Sequence, residues 1–478
     1  MQEILFENTS FYSYLVKLIG SKETKEFFES VKDEFPKTLR VNILKTDRNF
    51  LKERLIKKGF ILKENPLYEN SFEVIYEPYE IGKTLEHYAG FFYIQEKSSL
   101  LPVKILKPEK GQFILDIASA PGSKATQIGE IMENKGVLVC NDIHLPRIKA
   151  LTHNIDRIGL INSAITMMDG AQFGKFYFES FDKILVDAPC SSMGTLHKAK
   201  EVLSWWNEKE VNFYKNIQKK LLVSAIKALK VGGEIVYSTC TLTVEENEEL
   251  IDEILKTYPL EVMKIDEINI NEERGITEYR DKKFSKEIEK AIRIWPHKSK
   301  MEGFFIVKMK KIDKLKKEKN YVVKKEYRKL LKRDNSEIRR FLKFLKEYFG
   351  IDESYFDDKI FKLKNDIWLL SGDFEKFEIP HSFREGIRIA RLHNNEYKLT
   401  TNFVQLVFPF IKKNIYEIKN SEDAIKILKG LDIEISDKEE NGFKILVYDG
   451  ICLGIGVKRE NKIKSQIPKS RRFEEIVV

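Results

Sequence analysis

The sequence predicts an α/β protein whose centre is a parallel, doubly wound sheet, with a small α+β module before it and a β-rich domain after it. Three observations predict this. From about Gly90 to Lys311, short apolar runs alternate with amphipathic stretches, the pattern of strands separated by helices. The first of these runs ends in an acid followed by a loop of small residues, ASAPGSK, as at the ligand-binding edge of such sheets. The flanking segments have other patterns, mixed before Gly90 and glycine-punctuated strands near the end.

In order along the chain, residues 1–90 form the first module. Leu39–Lys45 (LRVNILK) reads as a strand and Asn49–Lys58 as an amphipathic helix. Residues 91–311 form the central domain. QFILDIA, GVLVCNDI, SAITMMD, DKILVDA and GEIVYSTC are its strands, and GFFIVKMKK closes it. The helices between begin at KATQIGEIM, HLPRIKALTHNIDRIG, Glu208 and VEENEELIDEILKTY, and the long one from Glu208 to Lys230 is expected to close on Gly232–Gly233. Residues 312–410 are a linker and a mixed region, and residues 411–478 a separable strand-rich domain with glycine turns.

A chain of 478 residues exceeds one ordinary core, and 42% apolar residues are enough for several. No run reaches the ~18 apolar residues of a membrane helix, and MQEILFENTS lacks a signal-peptide pattern. A cytoplasmic chain with no membrane partner is expected, and a monomer. The net charge of +9 fits a polyanion partner or simply a Lys- and Glu-rich surface. Lys310–Arg333 carries twelve Lys or Arg against three acids, as an RNA contact or a solvated helix face. None of Cys140, Cys190, Cys240 and Cys452 forms a CxxC pair, so neither zinc nor any other metal is expected.

The loop after Asp116, from Ala118 through Ser119, Ala120, Pro121, Gly122 and Ser123 to Lys124, lets backbone N–H groups approach a ligand closely. Asp142 ends the second strand, where an acid can accept from ribose hydroxyls. Asp169 ends the third, within reach of an adenine amino group, and Asp187 ends the fourth. Each acid singly also reads as ordinary turn or capping chemistry. The loop is neither GxGxxG nor GxxxxGK[ST], which disfavours a nicotinamide cofactor and a triphosphatase.

Cys190 follows the fourth strand in DAPC and Cys240 the fifth in STC, so both belong to the sheet edge that carries the loop. A lone cysteine is usually a small buried apolar residue, but two at neighbouring strand ends suit covalent catalysis. Carbon 5 of cytosine needs such help. A thiolate adding to carbon 6 makes the ring enamine-like, carbon 5 takes a methyl group, and loss of the carbon 5 proton expels the thiolate. An acid beside ring N3 stabilises the adduct, and Asp187 suits that role.

DIASAPGSKATQI, DAPCSSMG, VYSTCTLTVEENE and YIQEKSSLLPV, in order over about residues 91–311, resemble the Nop/Sun (Fmu-type) RNA 5-methylcytosine methyltransferases. RVNILK is similar to that family's entry module, and GFKILVYDGICLGIGVKRENKIKSQIPKSRR resembles the PUA-like terminal domain of its RsmF branch. The resemblance implies a class I (Rossmann-like) core that binds S-adenosylmethionine through Ala118–Lys124, Asp142, Asp169 and Asp187. It implies Cys240 as nucleophile and Cys190 as the residue assisting product release. It implies RNA as substrate, 16S rRNA of the small ribosomal subunit by the tail alone, with tail contacts from Lys462, Lys464, Lys469, Arg471 and Arg472. The chain departs from the family in reading Cys190-Ser191-Ser192 for PCSG, and in having Met193–Lys198 where an arginine is common; His197 or Lys198 is expected to take over its RNA contact. Trp205 and Trp206 read as core rather than base platforms, Cys140 and Cys452 as core, and His297 equally as structural or near the site. A tRNA substrate, and a non-catalytic RNA-binding scaffold, stand as alternatives.

Overall fold

The computed structural model describes residues 9–32, 34–266, 268, 270–317, 329–363, 365–393, 396–436, 440–473 and 475–477. The first eight residues and the middle of the basic run, 318–328, lie outside the described residues.

The first module comprises α1 (Ser10–Ser30), β1 (Thr38–Val41), α2 (Arg48–Lys57), β2 (Ile61–Glu64), β3 (Ser71–Tyr76), α3 (Leu85–Ala89) and β4 (Phe92–Ile94), with an antiparallel sheet ordered β2-β3-β1-β4. Thr9 and Asp47 cap α1 and α2 by accepting from the Tyr12 and Phe50 N–H groups. The strand expected over Leu39–Lys45 stops at Val41. Asn42 turns away instead, its amide donating to the carbonyls of Gly90 and Ile158.

The central domain follows with α4 (Leu101–Leu106), β5 (Phe113–Asp116), α5 (Ser123–Ile131), β6 (Val137–Asn141), α6 (Leu145–Ile158), β7 (Ser163–Thr166), β8 (Phe181–Asp187), α7 (Glu208–Ala228), β9 (Leu229–Thr239), α8 (Glu248–Leu255), β10 (Leu260–Val262), β11 (Glu273–Arg274), β12 (Ile292–Ile294) and β13 (Phe304–Lys311). Beyond it lie β14 (Leu330–Leu331), α9 (Ser336–Phe344), β15 (Lys359–Leu363), β16 (Asp366–Ser371), β17 (Ser382–Glu385), β18 (Ile387–His393), β19 (Glu396–Leu399) and α10 (Thr401–Val407). The last segment contains β20 (Ile415–Glu417), α11 (Ser421–Leu428), β21 (Ile433–Glu434), β22 (Gly442–Tyr448), β23 (Ile451–Arg459) and β24 (Lys462–Ser465).

The central sheet runs β11-β12-β13-β9-β8-β5-β6-β7-β17, with β10 also on β13. The expectation of a parallel sheet holds only for β9-β8-β5-β6-β7, where helices cross over between strands. The strands after β9 pair antiparallel: β13 runs against β9, and β10 and β12 run against β13. At the other edge, β17 from the region beyond residue 311 pairs antiparallel with β7, so this region caps an otherwise bare edge. Two boundaries differ from the sequence reading. Helix α7 ends at Ala228 without a glycine, since Leu229 is already extended and paired with Phe181, and Gly232 (φ 81°) serves a bulge inside β9. Helix α8 starts only at Glu248, because Glu246 and Asn247 are engaged elsewhere.

Both faces of the sheet are covered, so its strands are continuous apolar runs. Ile114, Leu138 and Leu185 face α5 and α6, whereas Leu115, Val139 and Ile184 face α7. Ile360, Leu370, Phe374 and Phe377 join the second face. A sheet ordered β14-β15-β16-β18-β19 and another ordered β20-β22-β23-β24-β21 complete the chain. The last segment packs on the region before it: Ile445, Val447, Cys452 and Ile455 share one core with Phe341, Leu369 and Phe403. Tyr88 of α3 also donates to the Leu453 carbonyl at 2.7 Å. Among the described residues no helix is long and apolar enough to cross a membrane.

Candidate active site

Strand β5 delivers Asp116 to the sheet edge, and the chain returns as α5 at Ser123. Gly122 (φ 112°) makes this turn, and a Cβ there would come within 3.0 Å of Leu151. Behind the loop the first module supplies a brace. Arg40 of β1 is fully buried, pairs with Glu130 of α5 at 2.9 Å, and donates to the Ser123 carbonyl at 2.7 Å. Between the loop and the ends of β8 and β9 lies a cavity of about 330 Å3, its walls including Ala118–Pro121, Ser123, Lys124, Asp187 and Cys240.

Asp116 is 1% exposed and neither of its carboxylate oxygens has a hydrogen-bond partner. Burial, and then the charge of Asp187, push it up to about 7. It therefore sits as an acid without a counterion on the wall of the cavity, and a cationic ligand fits it. The sulfonium cofactor expected from the sequence is such a ligand. Lys124 is occupied: its ammonium donates to Asp187 at 2.7 Å, and Ser238 donates to the other oxygen of Asp187 at 2.8 Å.

Asp187 and Ser238 are register partners on β8 and β9, and the two chains then carry Cys190 and Cys240 to within 3.1 Å, Sγ to Sγ, both as free thiols. The pair is asymmetric. The hydrogen bond from Cys190 holds Cys240 below the usual thiol range, against its burial, while the same bond and burial push Cys190 well above it. Cys240 is thus the more acidic thiol of the two and faces the cavity; Cys190 is 7% exposed behind it.

The thiol loops are pinned by two residues of VEENE. Glu246 accepts from the Ser191 N–H at 3.0 Å, from the Ser191 hydroxyl, and from Gln218 at 2.7 Å. Asn247 accepts from Thr239 at 2.7 Å and donates to the Thr241 carbonyl at 3.1 Å. The Gly194 N–H donates to the Cys240 carbonyl at 2.8 Å, and the Gly303 N–H to the Gly194 carbonyl at 3.0 Å. A Cβ on Gly194 would lie 2.2 Å from the Gly303 oxygen, so glycine is required there.

The structure brings Ala118–Lys124, Asp187, Cys190 and Cys240 together; Asp142 and Asp169 are not on the cavity wall. Asp142 is buried beside it, accepting from the His144 N–H at 3.0 Å, with its other oxygen 3.2 Å from Arg147, itself a wall residue. Asp169 is exposed and caps a short 3-10 turn through the Ala171 N–H. His197 is 5% exposed and packs on Phe35, so it cannot serve as an exposed RNA contact; Lys198 stays at the cavity mouth. Arg471 is likewise not a tail contact: it is 5% exposed and clamps Asn402, Gln405 and the Tyr88 carbonyl. His297 packs on Phe27 beside Glu23, and Trp206 and Cys452 are core.

Sequence reasoning missed Glu96, Glu302 and Phe304 on the same wall, and left Asp116 as a strand end only. The signal for Glu96 was present in YIQEKSS, and that for Glu302 in the residue before GFF. Glu96, His197 and Glu302 bring three potential ligand atoms within 4.8 Å of one another, but Lys198 already occupies Glu96 at 2.5 Å. A second cavity, a cleft of about 1290 Å3 on the last sheet, is walled by Lys398, Arg459, Lys462 and Lys464 together with Asp432 and Glu434.

Three families match successive parts of the chain. The 16S rRNA methyltransferase RsmB/F family matches residues 103–310. The N-terminal domain of 16S rRNA methyltransferase RsmF matches 8–97, and the methyltransferase RsmF PUA domain 413–473. A ribosomal RNA small subunit methyltransferase F of Shewanella piezotolerans is 34% identical over 449 residues, covering 90% of each chain. One from Vibrio campbellii is 34% identical over 460 residues, covering 93% of each. Among solved structures, a methyltransferase homolog protein from Pyrococcus horikoshii superposes with a TM-score of 0.59 at 33% identity, covering 65% of this chain and 98% of its own. NSun6 from Pyrococcus horikoshii, solved with SFG, shares the fold with a TM-score of 0.56 at 22% identity, covering 64% of this chain and 98% of its own.

Proposed function

We propose the activity from one premise: this chain belongs to the ribosomal RNA small subunit methyltransferase F family. It transfers a methyl group from S-adenosylmethionine to 16S rRNA, and the acceptor is carbon 5 of a cytosine. The observation that carries the cytosine reading is the pair of thiols 3.1 Å apart, of which the one on the cavity wall is the more acidic. A lone methyl transfer to oxygen or to an amine needs no such pair.

When bound, S-adenosylmethionine supplies an electrophilic methyl group. The protein's own residues do the rest. Asp116 neutralises positive charge in the cavity, and the Ala118–Lys124 loop presents its backbone N–H groups. The Cys240 thiolate adds to carbon 6 of the cytosine, and the ring electrons shift so that carbon 5 can take the methyl group. Asp187, held by Lys124 and Ser238, stabilises the adduct in its protonated form, donating that proton toward ring N3 as N3 gains negative charge. A base then takes the carbon 5 proton, the C–H electrons restore the double bond, and the carbon–sulfur bond breaks with Cys240 leaving as a thiolate. Cys190 supports this last step by donating its S–H to the departing sulfur of Cys240. A paired cytosine presents neither face to a thiol, so the target base is unpaired or flipped.

Bisulfite sequencing of total RNA, with and without the gene, tests the reading. One 16S rRNA cytosine should lose its methylation. Loss confined to tRNA would overturn the ribosomal substrate, and no change in any cytosine would overturn the chemistry.

A further inference from the structure

On the wall beside Phe304, two carboxyl groups from distant parts of the chain meet. Glu302 precedes β13 and is 3% exposed. Its Oε2 accepts from both the N–H and the hydroxyl of Ser98, at 2.9 and 2.8 Å. Its carboxyl lies beside that of Glu96, with oxygens of the two within 4.8 Å, and Glu96 Oε1 lies 2.5 Å from the Lys198 ammonium. Two carboxyls in contact cannot both be ionised without a large repulsion. Here the environments divide the roles. Burial, then the hydrogen bond and charge of Glu96, push Glu302 up to about 8. Burial also works to raise Glu96, but the hydrogen bonds from Glu302 and Lys198 outweigh it and bring Glu96 down to about 2. Near neutral pH, therefore, Glu302 carries a proton and donates it to an ionised Glu96.

Glu96 is the more open of the two, 41% exposed by its side chain, and it lines the same cavity as Cys240 and Asp187. Lys198 engages one oxygen of Glu96, whereas both oxygens of Asp187 are held, by Lys124 and Ser238, and Asp116 is 1% exposed behind the loop. What separates cytosine from uracil is a 4-amino donor in place of a carbonyl acceptor. A carboxylate attracts the first and repels the second.

We propose that Glu96 accepts a hydrogen bond from the 4-amino group of the target cytosine, and that Glu302 is a positioning residue whose proton holds Glu96 in place for it. This rests on the cytosine reading above. Glu302 makes no contact with the base itself. It acts as an acid that must stay protonated, so the arrangement fails on the alkaline side. Once Glu302 ionises, two carboxylates repel each other and Glu96 is displaced toward Lys198 and solvent. The groups facing the pair are Lys198, His197 and Ser98; Lys124, Asp187 and Cys240 stand on the same wall. His197 lies 4.0 Å from Glu96, and burial holds its imidazole below its usual range.

The test uses the full chain in single-turnover methylation of a 16S rRNA transcript between pH 6 and 9.5, with S-adenosylmethionine affinity as the check on folding. The wild-type rate should fall above about pH 8. In Glu302→Gln, an amide can still donate to Glu96 and accept from Ser98 but does not titrate, so the alkaline fall should disappear. Glu302→Ala should lower the rate about tenfold, the scale of one lost buried hydrogen bond, with cofactor affinity kept. Glu96→Gln, whose amide can turn either a donor or an acceptor to the base, should methylate a transcript carrying uridine at the mapped target, which the wild type rejects. An alkaline fall that persists in Glu302→Gln, or a Glu96→Gln enzyme that still rejects uridine, would overturn the proposal. If Glu302→Ala does not fold, the profile of Glu302→Gln decides alone. A wild type that methylates no cytosine would sink the underlying reading instead, before any variant is compared.

Discussion

The thiol cavity and the cleft on the last sheet are both lined with charged groups, and they hold them under opposite conditions. In and beside the cavity of about 330 Å3 the groups are few and mostly buried, and several titrate away from their usual ranges: Asp116, Glu96, Glu302 and the two thiols. In the cleft of about 1290 Å3, Lys462 and Glu434 are 64% and 85% exposed. Low dielectric makes a charge strong and chemically specific, whereas water and salt reduce it to a steering field. On the function proposed above, the cavity serves bond making and the cleft the docking of a polyanion. Their mutations should therefore differ in kind as well as in size.

The largest effect belongs to the cavity. Cys240→Ala should remove methylation by about a thousandfold or more, read by incorporation of labelled methyl groups. Cys190→Ala should instead leave the adduct unresolved, so that a protein–RNA species survives denaturing electrophoresis. Equal, ordinary turnover by both variants would break the two-thiol mechanism.

Arg40→Ala should come next, because it leaves Glu130 buried and unpaired behind the cofactor loop. The expected loss is about 3–5 kcal/mol of stability, measured by denaturant unfolding. A loss below about 1 kcal/mol would mean that the pair behaves as a surface bridge.

The third effect is a pH dependence. Free Asp116 titrates at about 7, and a bound cation favours its ionised form. Cofactor affinity should therefore rise with pH, by about tenfold from pH 6 to pH 8 for one linked proton. Asp116→Asn should bind weakly and lose this component, a comparison that calorimetry can make. A wild type and variant with the same pH slope would sever Asp116 from the cofactor.

The smallest effect belongs to the cleft. Lys462→Ala with Lys464→Ala should weaken RNA binding a few-fold and reduce the logarithmic salt slope by about 2, leaving the rate at saturating RNA unchanged. A fall in that saturated rate would mean that the cleft is not merely a docking surface, and the contrast with the cavity would soften.

Much of this was legible in the sequence, for reasons that can be named. Asp116, the Ala118–Lys124 loop, Cys190 and Cys240 each follow directly on a strand whose apolar run marks its end. Once those strands are known to be parallel neighbours, the residues must share an edge. Tail residues were less legible, because a basic residue reads the same whether it faces solvent or a carbonyl. Arg471 looked like Lys462 in sequence, yet it is buried across the junction with Tyr88. His197 similarly looked like an exposed cation until Phe35 covered it.

The sequence by itself determined the elements that local periodicity encodes: the strands and helices of the central sheet, the glycine turn into α5, and the two motifs that carry thiols. Only the tertiary structure decided which distant groups touch. It joined Glu96 to Glu302, Arg40 to Glu130, and β17 to the bare edge of β7. The physical reason is that proton sharing, ion pairing and edge pairing depend on distances between atoms far apart along the chain. Apolar periodicity fixes which face of an element is buried, but not which partner buries it.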